Sequence, residues 1–232
     1  MNRPVAADPP QAPGPTAAEQ LIVFVRAPRP GTVKTRLALA LGPAAACAAY
    51  RTLVDTLLRR LAGLPNVTLR FTPDDAHAEI ADWLAPGWRA QAQGAGDLGA
   101  RLHAAFASAF DAGARRVAVI GSDCPELTEG DVREAWRALR GHDVVVGPAT
   151  DGGYWLIGLR EARPELFAGV DWGTSRVLEQ TLALARAHGL RVHRLRERRD
   201  VDTAEDWRAF LARASDPLLT AAAPAPAADV AG

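Results

Sequence analysis

Short, uninterrupted apolar runs alternate along this chain with stretches whose apolar residues recur every three or four positions. That alternation limits the fold more than any other feature. Leu21-Ile22-Val23-Phe24-Val25 is one such run, closed by Pro28, Pro30 and Gly31, which is the pattern of a strand buried on both faces. Val117-Ala118-Val119-Ile120 is another. Between them, residues 43–61 set Ala46, Tyr50, Leu53, Val54, Leu57, Leu58 and Leu61 on one side and Arg51, Asp55 and Arg59 on the other, as an amphipathic helix does. The same criteria predict strands at 67–71, 143–146 and 190–195, and helices near 76–84 and at 98–110, 131–139 and 176–187. Residues 154–159 read as the second arm of a hairpin turned at Asp151-Gly152-Gly153. Strands joined through helices require right-handed crossovers, so the expected fold is α/β: three αβα layers around a mostly parallel sheet.

Composition narrows the function classes. The 27 basic and 27 acidic residues leave no net charge, which argues against a chain that binds nucleic acid through a broad positive field. No apolar run approaches the roughly 20 residues of a membrane span. Two cysteines, Cys47 and Cys124, and five scattered histidines give neither a disulfide framework nor zinc spacing. With no hydrophobic leader visible near residue 1, the expected setting is the cytoplasm. Ala and Pro dominate residues 1–19 and 215–232, which are expected to be disordered tails around one domain at 20–214.

Ligands of such sheets collect beyond the carboxyl ends of the strands, so the chemistry is expected in the loops there. After the first strand, Arg26-Ala27-Pro28-Arg29-Pro30-Gly31-Thr32-Val33-Lys34-Thr35-Arg36 joins two rigid prolines, a glycine and four cations to a helix start, a combination suited to phosphate. A solvated basic loop is the plainer alternative. It is no Walker loop, because Val33 stands where the second glycine should be. Gly121-Ser122-Asp123-Cys124-Pro125 puts a carboxylate at a buried strand end, where Mg²⁺ or a helix cap would satisfy it. Asp151-Gly152-Gly153-Tyr154 is a tight turn that could also admit a ligand. Asp200 and Asp202, two apart, can project to one side and complete a metal site begun by Asp123, although Asp202-Thr203 also starts a helix well. Gln91, Gly96 and Asp97 belong to a glycine-rich turn that could recognise base or ribose, with Asp97 a possible N-cap, and Trp172 to a short lid-like segment able to stack on a sugar. No Gly-x-Ser-x-Gly elbow occurs and Cys124 has no evident histidine partner, so covalent hydrolase chemistry has little support.

Taken in order, Pro28 to Arg36 with Gly31 and Lys34-Thr35-Arg36, Gly96-Asp97-Leu98-Gly99, Gly121-Ser122-Asp123-Cys124-Pro125, Gly147-Pro148 with Asp151-Gly152-Gly153-Tyr154, Trp172-Gly173-Thr174 and Asp200-Val201-Asp202-Thr203 resemble one family. It is the bacterial group of GT-A-type glycosyltransferase-like proteins associated with arsenosugar biosynthesis. The resemblance implies the nucleotide-diphospho-sugar transferase (GT-A) fold and a transferase dependent on Mg²⁺ or Mn²⁺. It implies sugar transfer from a nucleotide-sugar to a small-molecule acceptor; nucleotidyl transfer from a nucleoside triphosphate to a phosphorylated metabolite, and a non-catalytic nucleotide-binding regulator, are the alternatives. In this reading Lys34, Arg36 and Asp151 are catalytic, with Asp151 the base in sugar transfer. Arg26, Pro28, Gly31, Gln91, Gly96, Asp97, Gly99 and Ser122 join Lys34 and Arg36 on the nucleotide. Gly152, Gly153, Tyr154, Trp172 and Thr174 face sugar or acceptor. Asp123 stands where the fold's metal-binding Asp-x-Asp begins; Pro125 replaces the second Asp, so Asp202 is the expected second ligand.

Overall fold

The computed structural model describes residues 18–214. The expected tails therefore lie outside the described residues up to 17 and from 215 onward, while Glu19 already opens the first strand. The strands are β1 (Glu19–Arg26), β2 (Val67–Thr72), β3 (Arg89–Ala92), β4 (Arg116–Ile120), β5 (Val144–Pro148), β6 (Tyr154–Leu159) and β7 (Val192–Arg194). The helices are α1 (Thr35–Leu41), α2 (Pro43–Arg60), α3 (His77–Ile80), α4 (Leu98–Asp111), α5 (Glu129–Ala138), α6 (Val177–Ala187) and α7 (Ala204–Ala214).

The strands form one sheet in the order β3-β2-β1-β4-β6-β5-β7, parallel except for β6, which runs against β4 and β5. Side chains alternate across it as the pleat demands. Leu21, Val23, Val25, Ala118 and Ile120 share a core with Tyr50, Val54 and Leu57 of α2 and Val132 and Trp136 of α5. Ile22, Val117 and Val119 pack with Leu102 and Phe106 of α4 and Ala185 of α6 on the opposite face. These are the three expected layers, and the uninterrupted apolar runs are the strands covered on both sides.

Two local expectations differ. The helix expected near 76–84 is only α3 followed by a 3-10 turn, Ala81–Trp83, where the Trp83 indole donates to Asp55 on α2 and draws the chain onto that helix. The edge strand β3 was not expected, because Arg89-Ala90-Gln91-Ala92 has no apolar run; backbone pairing to β2 makes it a strand. Among the described residues no helix is long and apolar enough to cross a membrane. The topology brings the loops after β1, β3, β4 and β7 to one end of the sheet.

Candidate functional site

The loop after β1 is tied down before it reaches the sheet edge. Ala27 N–H donates to Thr72 O, the Cys47 thiol donates to Pro28 O, and Thr32 closes a turn onto Arg29 O with both its N–H and its hydroxyl. Gly31 turns the chain at φ 82°. Arg29 faces outward and is paired with Glu79 and Asp75, which turns one of the loop's four cations away from the cleft. Lys34, at the N-cap of α1, adopts left-handed φ 47° and ψ 48°, a conformation that costs a non-glycine residue on the order of 1 kcal/mol. Its side chain is only 4% exposed, and its Nζ lies 2.5 Å from Asp123 Oδ1 and 2.8 Å from Asp202 Oδ1. Burial works against the ammonium, but the two carboxylates outweigh it and hold the Lys34 pKa above its ordinary value.

The carboxylates come from loops that are fastened together. Val201 N–H donates to Asp123 O, joining the segment after β7 to the segment after β4. Asp202-Thr203 does start a helix, as Asp206 accepts from the Thr203 amide and hydroxyl and caps α7, while the Asp202 carboxylate reaches Lys34. Asp200 lies beside the pair, and burial, followed by the negative charges of Asp123, Asp151 and Asp202, pushes its pKa up to about 7.

These groups stand at one pole of a cleft of about 700 Å³. Arg26, Lys34, Arg36, Ser122, Asp123, Asp200 and Asp202 supply the polar wall, whereas Phe24, Val25, Leu102, Val119, Ile157 and Tyr154 supply much of the apolar one. Gly96 and Asp97 line it too, with Asp97 also capping α4 by accepting from Ala100 N–H. Tyr50, Gln93 and Arg101 also line the cleft but had no place in the sequence-based site. Tyr50 on α2 accepts from Arg26 N–H and shares a hydrogen bond with Ser122 Oγ, so one buried phenol locks the β1 and β4 loops; burial raises its pKa to about 12. Gln93 spans the Val25 and Arg70 carbonyls, and Arg101 donates to its Oε1. Tyr50 was legible only as core; a hydroxyl on that buried helix face, which needs a partner, was the available signal.

Of the remaining expected site residues, Tyr154 alone lines the cleft. Gln91 is exposed on β3, and its place is taken by Gln93 two residues later. Pro28 is buried and Gly31 is an exposed turn residue. Gly99 makes room for Trp172: a Cβ there would fall 2.5 Å from Trp172 Nε1 and 2.6 Å from Phe167 O. Trp172 is thus half-buried against α4, and Thr174 bonds Asp171 O in its own turn. Gly152, at φ 89°, lets the 151–153 turn touch Ser175 O, and Leu178 N–H donates to Gly152 O. Asp151 is exposed and accepts from Gly153 N–H, although its charge reaches Asp200. The Tyr154 ring lines the cleft, but its hydroxyl is buried away from it. Burial also raises the Cys124 thiol to about 12, which leaves no nucleophilic thiolate.

A divalent cation fits these donors in a limited sense. The two Lys34 contacts laid end to end keep the Asp123 and Asp202 oxygens within about 5.3 Å of each other, and each carboxylate is at least one-third exposed. Hard carboxylate oxygens of this kind bind Mg²⁺ or Mn²⁺ when phosphates complete the shell. Among the described residues no group of three or more His, Cys, Asp or Glu forms a self-sufficient metal site.

The profile of a bacterial family, DUF2064, described as an uncharacterized protein conserved in bacteria, matches residues 56–174, just over half of the chain. The chain belongs to this family. Within the fold of DUF2064 seen here, a crystal structure from Desulfovibrio desulfuricans G20, provisionally named a nucleotide-diphospho-sugar transferase, is similar at 36% identity and TM-score 0.79 over 83% of this chain and 86% of that one. Two more distant structures share the fold. One is Rv0371c from Mycobacterium tuberculosis H37Rv in complex with manganese, at 17% identity and TM-score 0.52 over 84% of this chain and 99% of that one. The other is 4-diphosphocytidyl-2C-methyl-D-erythritol synthase from Anaerococcus prevotii DSM 20548, at 12% identity and TM-score 0.56 over 84% and 100%. No curated protein matches. This DUF2064 chain therefore has the nucleotide-diphospho-sugar transferase fold that its motifs led one to expect.

Proposed function

We propose that this protein is a divalent-metal-assisted transferase that takes a nucleotide-activated donor, with sugar transfer to a small-molecule acceptor as the first reading. The observation that carries the proposal is the convergence of Lys34, Asp123 and Asp202 at the head of the cleft, on the loops where this fold exposes strand ends. The name of the Desulfovibrio relative supports a nucleotide-sugar donor, and the manganese complex of Rv0371c supports a metal. An arsenosugar-type product belongs to the same reading. Two free, buried thiols suit a reducing cytoplasm.

Lys34 and Arg36 place fixed positive charge where a departing phosphate gathers negative charge. Asp123 and Asp202 would hold the cation, which when bound neutralises the pyrophosphate oxygens. Tyr50 and Ser122 keep the two loops from separating as the donor enters. Asp151 would take the acceptor hydroxyl proton. Its exposure outside the cleft lining favours a second reading, nucleotidyl transfer, because a phosphate acceptor needs no base.

Product identity tests both readings. Incubation with Mn²⁺, a mixture of hydroxylated and phosphorylated small-molecule acceptors, and UDP-, GDP-, CDP- and ADP-sugars or the four nucleoside triphosphates should release nucleoside diphosphate in sugar transfer and pyrophosphate in nucleotidyl transfer. Asp123→Ala should abolish either release. Nucleotide binding that raises thermal stability, remains unchanged in Asp123→Ala and yields neither product would establish a regulator instead.

A further inference from the structure

The segment after β7 carries Asp200 and Asp202 but has little regular structure of its own, so something must hold those carboxylates opposite Lys34. Arg198 is the one strongly buried cation in that segment, its side chain only 10% exposed. Its guanidinium donates to both oxygens of Asp131 at 2.7 Å and reaches the Glu126 carbonyl. Asp131 is 2% exposed on α5 and also accepts from the Thr128 amide and hydroxyl, so its position is set by the helix start. Burial alone would raise the Asp131 carboxyl, but Arg198, Thr128 and Arg196 bring it down to about 2, so the pair remains ionic. Trp155 lies under the Arg198 guanidinium at 5.4 Å, and its indole donates to Arg196 O. The Arg198 backbone bonds Pro148 and Thr150 as well.

Three residues beyond this anchor the chain makes the Val201–Asp123 backbone bond, and Val201 itself packs on Leu53 and Phe210. The acidic arm is thus fixed at Arg198 and at Val201, with Asp200 between them and Asp202 just past. We propose that Arg198 is a positioning residue for the acidic arm: through Asp131 on α5 it sets the separation of Asp202 from Asp123 and so the cleft's capacity for a divalent cation with phosphate. Its metal-binding consequence rests on the proposed function; its effect on the arm does not. A buried ion pair between apolar layers is a weak stabiliser in general, so its placement at the root of this segment points to geometry more than to stability.

Amide hydrogen exchange at Val201 reads the arm directly, and Mn²⁺ titration of the ligand-free protein reads the carboxylates. Arg198→Lys should speed Val201 exchange at least tenfold relative to Val23 and Val119 in the sheet, and weaken Mn²⁺ binding at least fivefold. Arg196→Ala, which removes the more exposed partner of Asp131, should change both by less than twofold. Asp131→Asn serves as the second variant should Arg198→Lys fail to fold, with the same expectation. Val201 exchange that is unchanged, or accelerates only in step with Val23 and Val119, overturns the proposal. Loosening of Val201 in a protein whose parent binds no Mn²⁺ upholds the anchor and removes the metal from the proposed function.

Discussion

The pole of the cleft around Lys34 and the neighbouring pair of turns at 151–153 and 171–175 are built from opposite materials. At the Lys34 pole a buried ammonium, two carboxylates and a left-handed lysine make contacts that do little for packing. At the paired turns Gly152 is used against the Ser175 backbone, Thr174 on Asp171 of its own turn and Trp172 against Gly99. Charge brought out of water without an apolar return marks a place where stability is given up, whereas glycines and an aromatic side chain can mark a ligand or merely a tight joint. The difference separates a candidate site from its scaffold although the two are neighbours.

Substitutions can break that comparison. Lys34→Ala should lower kcat/KM at least 100-fold with whichever donor turns over, because it removes the charge facing the leaving phosphate; steady-state kinetics check this. Gly152→Ala should cost about 3 kcal/mol in denaturant unfolding, since its Cβ would meet the Ser175 backbone at 2.1 Å and φ 89° adds strain, while nucleotide affinity per folded molecule stays within twofold. Gly99→Ala should cost about 2 kcal/mol by the same measurement, because the Trp172 ring must shift, again without loss of the cleft's charge. A loss of turnover in either glycine variant well beyond its loss of folded protein would return the turns to the site.

A pH effect is expected on the opposite side of the acidic arm. The folded Asp131 pKa lies near 2, below the unfolded value of 3.8, so its contribution is present above about pH 4 and is lost as the pH falls through 2. Asp131→Asn should therefore be less stable than the parent at pH 7, with the gap narrowing between pH 4 and 2 in urea unfolding. The smallest effect is the sharpest for the cleft wall: Gln91→Ala should leave nucleotide affinity unchanged, and Gln93→Ala should weaken it several-fold, measured by calorimetry.

The layered sheet was legible because β1 and β4 are buried on both faces and so appear as unbroken apolar runs, a property set by each strand's own residues. β3 was not, since an edge strand takes its stability from the backbone of β2. In the site, Lys34, Asp123 and Asp202 stood out as charges at strand ends. Tyr50, Gln93 and Arg198 did not, because their roles depend on partners 72, 68 and 67 positions away in the chain, and no local pattern encodes such distances. The motif containing Gly152 and Trp172 was visible but ambiguous, since close packing and ligand access call for the same small and aromatic residues.

The Lys34 ammonium already contacts both Asp123 and Asp202. On the proposed reading, the tethered cation is a placeholder: an ion arriving alone must compete with it, whereas an ion carried in on a pyrophosphate offers the lysine a new counter-anion in exchange. Affinity for the metal and for the nucleotide should then rise together, and the acidic loops need not fly apart between turnovers.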